Sequence, residues 1–199
     1  MTQAASTRLS AAERRSAIIA AALHVFSDGS YAGATTAEIA REAGVSEPIL
    51  YRHFSSKREL YFACVDEAWR GIRTKIEAKR EEVGPAEAWK ALSPSMMREL
   101  KTFLPSLWMQ AITEAGEDAE IRRHVRKHMR EVHDFFADGL RQVQNAGVIP
   151  ADRDADAEAW IFIAGTLLAS VVDRLGGPLT ADDLAAVKAQ RMRWLTGAP

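Results

Sequence analysis

The chain has 199 residues, of which 47% are apolar and 27% are charged, and its 26 Lys and Arg oppose 27 Asp and Glu for a formal net charge of −1. This composition is typical of a soluble globular protein with enough length for one domain or two. The near-zero charge excludes a polybasic protein that holds nucleic acid by bulk attraction, because such binding needs many surplus Lys and Arg. Any nucleic-acid contact must therefore be local.

Cysteine usage and the N-terminus predict a cytoplasmic protein. The single cysteine, Cys64, can form neither an intrachain disulfide nor a zinc knuckle, which fits a reducing compartment. Residues 1–10 lack the apolar run of a secretory signal. The longest uncharged, mostly apolar run, residues 159–172, is shorter than the ~18 residues expected of a membrane span. We therefore expect no membrane partner.

Apolar residues recur at helical spacing along almost the whole chain, and no stretch shows sustained period-two alternation. The pattern predicts an all-α protein with about nine helices. Three capping boxes, each a Ser or Thr followed three residues later by Glu, mark predicted helix starts. They are Ser10 with Glu13, Thr35 with Glu38, and Ser56 with Glu59. The first three helices should end near Asp28, at Gly44 and near Phe54, the third beginning after Ser46.

A long helix is predicted from Lys57 to about Glu82, where Gly84 and Pro85 break the chain. Further helices are predicted over residues 86–103, 107–113, 117–145, 154–175 and 180–195. We place a domain boundary between residues 56 and 57. Residues 1–80 hold 12 Lys and Arg against 9 Asp and Glu, whereas residues 81–199 hold 14 against 18, so the positive excess lies with the short helices.

Residues 35–54 have the dimensions of a helix-turn-helix. With Thr36 as its first position, Ala40 falls where the two helices approach most closely, and Gly44 falls where the turn favours a positive φ. The outward positions of the second helix lie near its N-terminal end, the part that reaches base edges in a major groove. They are Glu47, Pro48, Tyr51 and Arg52.

The stretch ATTAEIAREAGVSEPILYRHFSSKRELY, residues 34–61, together with the preceding helix RRSAIIAAALHVFSDGSYAG, closely resembles the tetracycline-repressor (TetR) family of bacterial transcription regulators. The resemblance covers about the first 65 residues. It implies an N-terminal three-helix DNA-binding domain, a linking fourth helix, and a larger helical domain for ligand binding and dimerisation. It also implies a homodimeric repressor that a small, mostly apolar effector releases from palindromic double-stranded operator DNA, with no cofactor.

The resemblance also assigns DNA contacts by motif position. Phosphate contacts are expected from Thr35, Thr36, Tyr51, His53 and Lys57. Base contacts are expected from Ser46, Glu47, Pro48 and Arg52. The family frequently has Lys or Gly where this chain has Glu47 and Pro48; a carboxylate can accept from cytosine N4, and a proline ring can touch a thymine methyl. Arg8, Arg14 and Arg15 either extend this contact or are solvated charge.

Aromatic and sulfur-containing side chains cluster in the second half of the chain, where they either form ordinary core or line a pocket for an apolar ligand. The predicted ligand-binding residues are Met97, Phe103, Trp108, Met109, His128, Phe135 and Thr166. His124 and His128 lie four residues apart, as zinc ligands on a helix can, but no third ligand stands at suitable spacing. Ligand contact and a plain helix edge remain alternatives for this pair, and we predict no metal.

The last two helices are predicted to form the dimer interface through an apolar seam. Its residues are Trp160, Leu167, Val171, Leu175, Leu184, Val187 and Trp194. Thr166, Ser170 and Asp173 form a polar stripe that either hydrogen-bonds across this interface or faces a ligand.

Two other classes of function stay open. A helical ligand-binding or carrier module would not need the outward residues of 46–53. An all-helical enzyme has little support, because no Ser-His-Asp order, Gly-rich phosphate loop, acid pair or metal cluster can be assembled from the sequence.

Overall fold

The computed structural model describes residues 10–91 and 104–197, so the predictions for Arg8, Met97 and Phe103 lie outside the described residues. All regular secondary structure in these ranges is helical, which confirms the all-α prediction. The eight helices are α1 Ala11–Asp28, α2 Thr36–Glu42, α3 Glu47–His53, α4 Lys57–Ala91, α5 Leu104–Glu114, α6 Ala119–Asn145, α7 Ala155–Arg174 and α8 Ala181–Thr196.

The chain divides into two compact units, residues 1–68 and 69–199. The first part of α4 belongs to the first unit because Leu60, Tyr61, Cys64 and Val65 are buried in its core. The predicted boundary after residue 56 coincides with the start of α4. As a functional boundary it stays a prediction.

Local signals placed most helix ends correctly. The Ser10 hydroxyl accepts from the Glu13 backbone N–H at 3.1 Å, and the Glu13 carboxylate accepts from the Ser10 N–H at 2.7 Å, so this capping box is complete. Thr35 and Ser56 also accept from the predicted backbone N–H groups, those of Glu38 and Glu59.

Two further predicted helix starts are confirmed by caps, since Asp154 and Thr180 accept from the first-turn N–H groups of α7 and α8. The predicted break in the long helix is also confirmed. Within α4, Gly84 has φ 80° and ψ 163°, a conformation that L residues rarely adopt, and Pro85 follows it. Helix α5 begins at Leu104, three residues before the predicted start at Leu107.

The first unit is held by an apolar core to which α1 to α4 all contribute. Ile18, Phe26, Ile39 and Leu50 are fully buried. The Phe26 and Tyr61 rings meet edge to face with centroids 5.1 Å apart. Burial raises the pKa of the Cys64 thiol, which points at the Ile19 carbonyl.

The second unit packs α6 against α5 and α7. Its buried apolar residues include Leu107, Ile121, Val132, Leu140 and Ile163. None of the helices in the described ranges is long and apolar enough to cross a membrane.

A buried ion pair joins α7 to α8 in the second unit. The Glu158 carboxylate, on α7, is almost fully buried and meets the Arg191 guanidinium of α8. Burial lowers the pKa of Arg191, and the neighbouring Arg153 lowers it further. Both guanidiniums also lie on the Trp194 ring, 4.3 Å from its centroid for Arg153 and 4.7 Å for Arg191. Glu158 therefore neutralises a site where two cations gather.

Replacing Glu158 by Ala should destabilise the protein by about 2–3 kcal/mol, because it leaves Arg191 without its buried counter-charge. This is less than for a fully buried pair, since the Arg191 side chain is 28% exposed. Urea unfolding followed by circular dichroism at one protein concentration measures the effect. The matched control is Glu131→Ala, which removes an exposed pair with Lys127 and should cost at most about 0.5 kcal/mol. Equal midpoints for the two variants would contradict the prediction.

Candidate nucleic-acid interface

The turn between α2 and α3 has the geometry that the sequence predicts for a helix-turn-helix. Gly44 adopts φ 66°, while its N–H donates to the Arg41 carbonyl at 3.1 Å. The next N–H, that of Val45, donates to the Ala40 carbonyl at 2.9 Å. A Cβ on Gly44 would meet nothing within 4 Å, so glycine is needed there for its backbone conformation alone. Ala40 is buried between the helices, as predicted.

Most of the predicted base-reading residues lie on the open face of α3. Ser46, Pro48 and Arg52 are exposed, and 48% of Tyr51 is exposed. Glu47 and His53 are half-buried. Ser46 occupies the N-cap position, but its hydroxyl makes no capping bond. The face therefore offers polar, apolar and cationic groups close together along this short helix and its N-cap.

A hydrogen-bonded chain links α2 to α3 across this face, and the sequence did not reveal it. The Thr36 hydroxyl donates to Glu47 Oε1 at 2.5 Å and lies 3.1 Å from the Tyr51 hydroxyl. The three residues are separated by 11 and 15 positions in the chain, so no local spacing rule could predict the contact. Thr36 is buried, whereas Tyr51 remains half exposed.

Thr35 and Lys57 have structural partners as well. The Thr35 hydroxyl caps α2 by accepting from the Glu38 N–H, which leaves its own hydrogen for a further acceptor. The Lys57 ammonium donates to the carbonyls of Tyr31 at 2.8 Å and Ala34 at 3.1 Å, and reaches that of Ala32 at 3.5 Å. It also lies 4.6 Å from the Tyr31 ring centroid. The ammonium thus anchors the turn before α2, and its predicted phosphate contact stays a prediction.

The first unit is not basic. Residues 1–68 hold 7 Lys and Arg against 8 Asp and Glu, a net charge of −1. The excess counted over residues 1–80 comes from the stretch 69–80, which belongs to the second unit. The interpretation of the DNA-binding part as positively charged is therefore wrong. Arg15 is exposed beside α3, with its guanidinium carbon 4.9 Å from the Phe54 ring centroid, whereas Arg14 is half-buried.

The predicted ligand-binding residues of the second unit lie partly in an aromatic cluster. Trp108 and His128 are buried with centroids 5.5 Å apart, and His128 also packs edge-on against Trp69. Phe135 contacts Trp69 at 5.3 Å. The sequence prediction omitted Trp69, whose apolar spacing on α4 could have suggested it.

The remaining predictions for this unit have mixed outcomes. Met109 and Thr166 are half-buried, and the Thr166 hydroxyl donates to the Phe162 carbonyl of its own helix at 3.0 Å. The His124 and His128 rings are stacked, with their centroids 6.3 Å apart. No group of three or more potential metal ligands occurs in the part of the chain that the structure describes.

Several residues of the predicted dimer seam are exposed, namely Trp160, Leu175, Val187 and Trp194. Leu167 and Val171 are half-buried instead. The exposed face of α7 is centred on the residues that follow Trp160 and Leu167. These are Ile161, which is 46% exposed, and Leu168, which is 52% exposed. The side chains of Leu184, Ser170 and Asp173 lie outside the described part. Trp160 stacks on the buried His133 with centroids 4.4 Å apart, which fixes the indole at the edge of this face.

Comparison with known proteins identifies the class to which this helix-turn-helix belongs. The family model described as bacterial regulatory proteins, tetR family, matches residues 18–64. The HTH-type transcriptional regulator BetI of Rhizobium meliloti is 32% identical over 149 residues, which are 73% of this chain and 69% of BetI. A crystal structure of a TetR-family regulator from Agrobacterium tumefaciens superposes with a TM-score of 0.75 at 19% identity, covering 94% of this chain and all of that one.

The protein is therefore a transcriptional regulator with a DNA-binding helix-turn-helix. It belongs to the TetR family. The HTH-type transcriptional activator FasR of Mycolicibacterium smegmatis is 50% identical, but only over 73 residues, which are 35% of this chain and 33% of FasR. The match to FasR thus covers about a third of each chain.

Replacing Lys57 by Met should destabilise the first unit by about 1–2 kcal/mol, because the carbonyls of the turn lose a charged donor. Thermal unfolding measures this loss. If the ammonium serves only the turn, the salt dependence of DNA binding stays unchanged, whereas a phosphate contact would lower the slope by about 0.9. Arg52→Met, at an exposed position of α3, is the comparison variant. A Lys57→Met protein of unchanged stability would show that the anchor is unimportant.

Proposed function

We propose that the protein is a homodimeric repressor that binds a near-palindromic operator through the open face of α3 and releases it when a small, mostly apolar molecule binds the second unit. The observation that carries this proposal is the helix-turn-helix with Ser46, Pro48, Tyr51 and Arg52 exposed together, in a chain whose relative BetI is a transcriptional regulator. The proposed DNA interface also contains Thr35, Thr36, Glu47, His53 and Lys57.

The charge of the first unit supports a mode of DNA binding that depends on a few specific contacts with bases and phosphates. A unit of net charge −1 gains little from nonspecific attraction to phosphates, so its affinity for unrelated DNA should be low. Base-edge contacts from α3 would then make a large share of the difference between operator and other DNA. Arg15 and Arg52 are exposed cations of this unit that can supply phosphate or base contacts.

The exposed apolar face of α7 and α8 supports a dimer. Ile161 and Leu168 on α7 and Leu175 at its C-cap recur every seven residues, and Val187 and Trp194 have the same spacing on α8. A patch of this kind on a helical protein favours association with a second copy. Two copies related by a twofold axis would present two α3 helices, so the half-sites should lie one helical turn apart, or a multiple of it.

The aromatic cluster of the second unit supports an effector that is mostly apolar. Trp69, Trp108 and Phe135 offer large apolar surface. The Trp108 Nε1–H is buried and has no hydrogen-bond acceptor among the described residues, so an oxygen of a ligand could satisfy it. We propose Trp108, Met109, His128, Phe135 and Thr166 as effector contacts.

Selection of bound fragments from random DNA, followed by fluorescence anisotropy on the recovered site, tests operator binding. The proposal predicts an inverted repeat for which the affinity of the protein falls with salt and exceeds that for unrelated DNA by at least about 10³-fold. Absence of any enriched sequence would favour a carrier module, and turnover of a bound small molecule would favour an enzyme. A reporter driven by the recovered site then separates repression from the activation that the name of FasR describes.

Replacing Leu168 by Asp should convert the protein into a monomer, because it places a charge in the centre of the apolar face of α7. Light scattering after size exclusion measures the mass, and the affinity for the full inverted repeat should fall at least about tenfold, since the two half-sites are no longer linked. Ile112→Asp is the matched control, because Ile112 is 41% exposed on α5, outside this face. A Leu168→Asp protein of dimeric mass would contradict the assignment.

A further inference from the structure

The hydrogen atoms of the Thr36–Glu47–Tyr51 chain have only one consistent arrangement. A threonine hydroxyl has one hydrogen, and Thr36 gives it to the Glu47 carboxylate. The contact between Thr36 and Tyr51, at 3.1 Å, can then form only if Tyr51 is the donor. The donor order is therefore Tyr51 to Thr36 to Glu47, and both hydroxyl hydrogens are used inside the protein.

This order determines what the interface offers to DNA at this point. With the hydroxyl hydrogens of Tyr51 and Thr36 engaged, the Tyr51 oxygen and the Glu47 carboxylate present only acceptor lone pairs to a partner. No described residue donates to the second carboxylate oxygen, Glu47 Oε2. Phosphate oxygens are acceptors too and carry negative charge, so this group of side chains is a poor phosphate site.

The donors that the major groove offers are the exocyclic amino groups of cytosine, N4, and of adenine, N6. A carboxylate can accept a hydrogen bond from either amino group. Glu47 lies at the start of α3, and the N-terminal part of a recognition helix is the part that reaches base edges. We propose that Glu47 is a specificity-determining residue that accepts a hydrogen bond from an exocyclic base amino group. Thr36 and Tyr51 are positioning residues that hold its carboxylate, rather than phosphate ligands.

This inference rests on the proposed operator binding and makes it more specific. It requires that each operator half-site carries a cytosine or an adenine opposite Glu47. It also leaves the phosphate contacts to other residues of the first unit, such as Thr35, whose hydroxyl hydrogen is available, and the exposed Arg52.

Removal of single amino groups from the selected operator tests the inference. Each cytosine in turn is replaced by 2-pyrimidinone, which lacks N4, and each adenine by purine, which lacks N6. For the wild-type protein, one position in each half-site should lose about 10- to 100-fold in affinity on this change. The replacement that lowers the affinity, 2-pyrimidinone or purine, shows whether Glu47 contacts a cytosine or an adenine. In Glu47→Ala the same change should have no effect at that position, while other positions respond as before.

Two further variants separate base reading from charge and from folding. Glu42→Ala removes an exposed carboxylate from α2, so it controls for the loss of a negative charge and should keep the full preference at every position. Tyr51→Phe removes the first donor of the chain and should reduce the discrimination at the Glu47 position by about 2- to 10-fold. Circular dichroism and thermal unfolding show that each variant remains folded.

The contrary outcomes are equally distinct. If Glu47→Ala changes the affinity for all sequences by one common factor, or if loss of the amino group still costs affinity in that variant, Glu47 does not read a base. If Tyr51→Phe weakens binding to all sequences equally, Tyr51 is a phosphate ligand and the donor order is broken on DNA. Failure of the wild-type protein to select any sequence would instead overturn the proposed function itself.

Discussion

The structure of the first unit depends on the burial of two side chains of α3. This helix runs from Glu47 to His53 and is much too short to be stable alone, because isolated helices shorter than ~12–15 residues are marginal in water. Leu50 is fully buried and Phe54, its C-cap, almost so. Burial of such side chains is worth about 1.5–3 kcal/mol each. Because this side of α3 is packed into the core, the opposite side faces solvent, and its exposed residues are held in fixed positions relative to one another.

The distribution of charge changes how DNA recognition by this protein is understood. Counted over the compact unit 1–68, the net charge is −1, and the Lys and Arg that made the N-terminal region look basic lie further along α4. A neutral chain with a slightly acidic DNA-binding unit cannot rely on general attraction to phosphates. Hydrogen-bond sense and shape at a few positions then become the main sources of selectivity, which is why the partners of Glu47 matter.

Much of the fold could be predicted because its signals are local. Capping residues such as Ser10 and Thr180, and the positive φ of Gly44 and Gly84, act within a few residues of the chain and follow simple rules. Contacts between elements could not be predicted in this way, since they depend on how helices cross.

Three contacts of this kind could not be predicted from the sequence: the Thr36–Glu47 hydrogen bond, the hydrogen bonds from Lys57 to the turn before α2, and the ion pair of Glu158 with Arg191. The exposed face of α7 is another case. Leu167 of the predicted seam is half-buried, whereas Leu168, one residue later, is exposed, because one residue turns a helix by about 100°.

The most direct test of operator binding by a dimer is a hydroxyl-radical footprint of the protein on its selected operator. Two protected backbone segments are expected, related by twofold symmetry and centred ~10 base pairs or a multiple apart. Protection without this spacing, or no protection at salt concentrations where the protein is folded, would contradict the binding of a dimer to an inverted repeat.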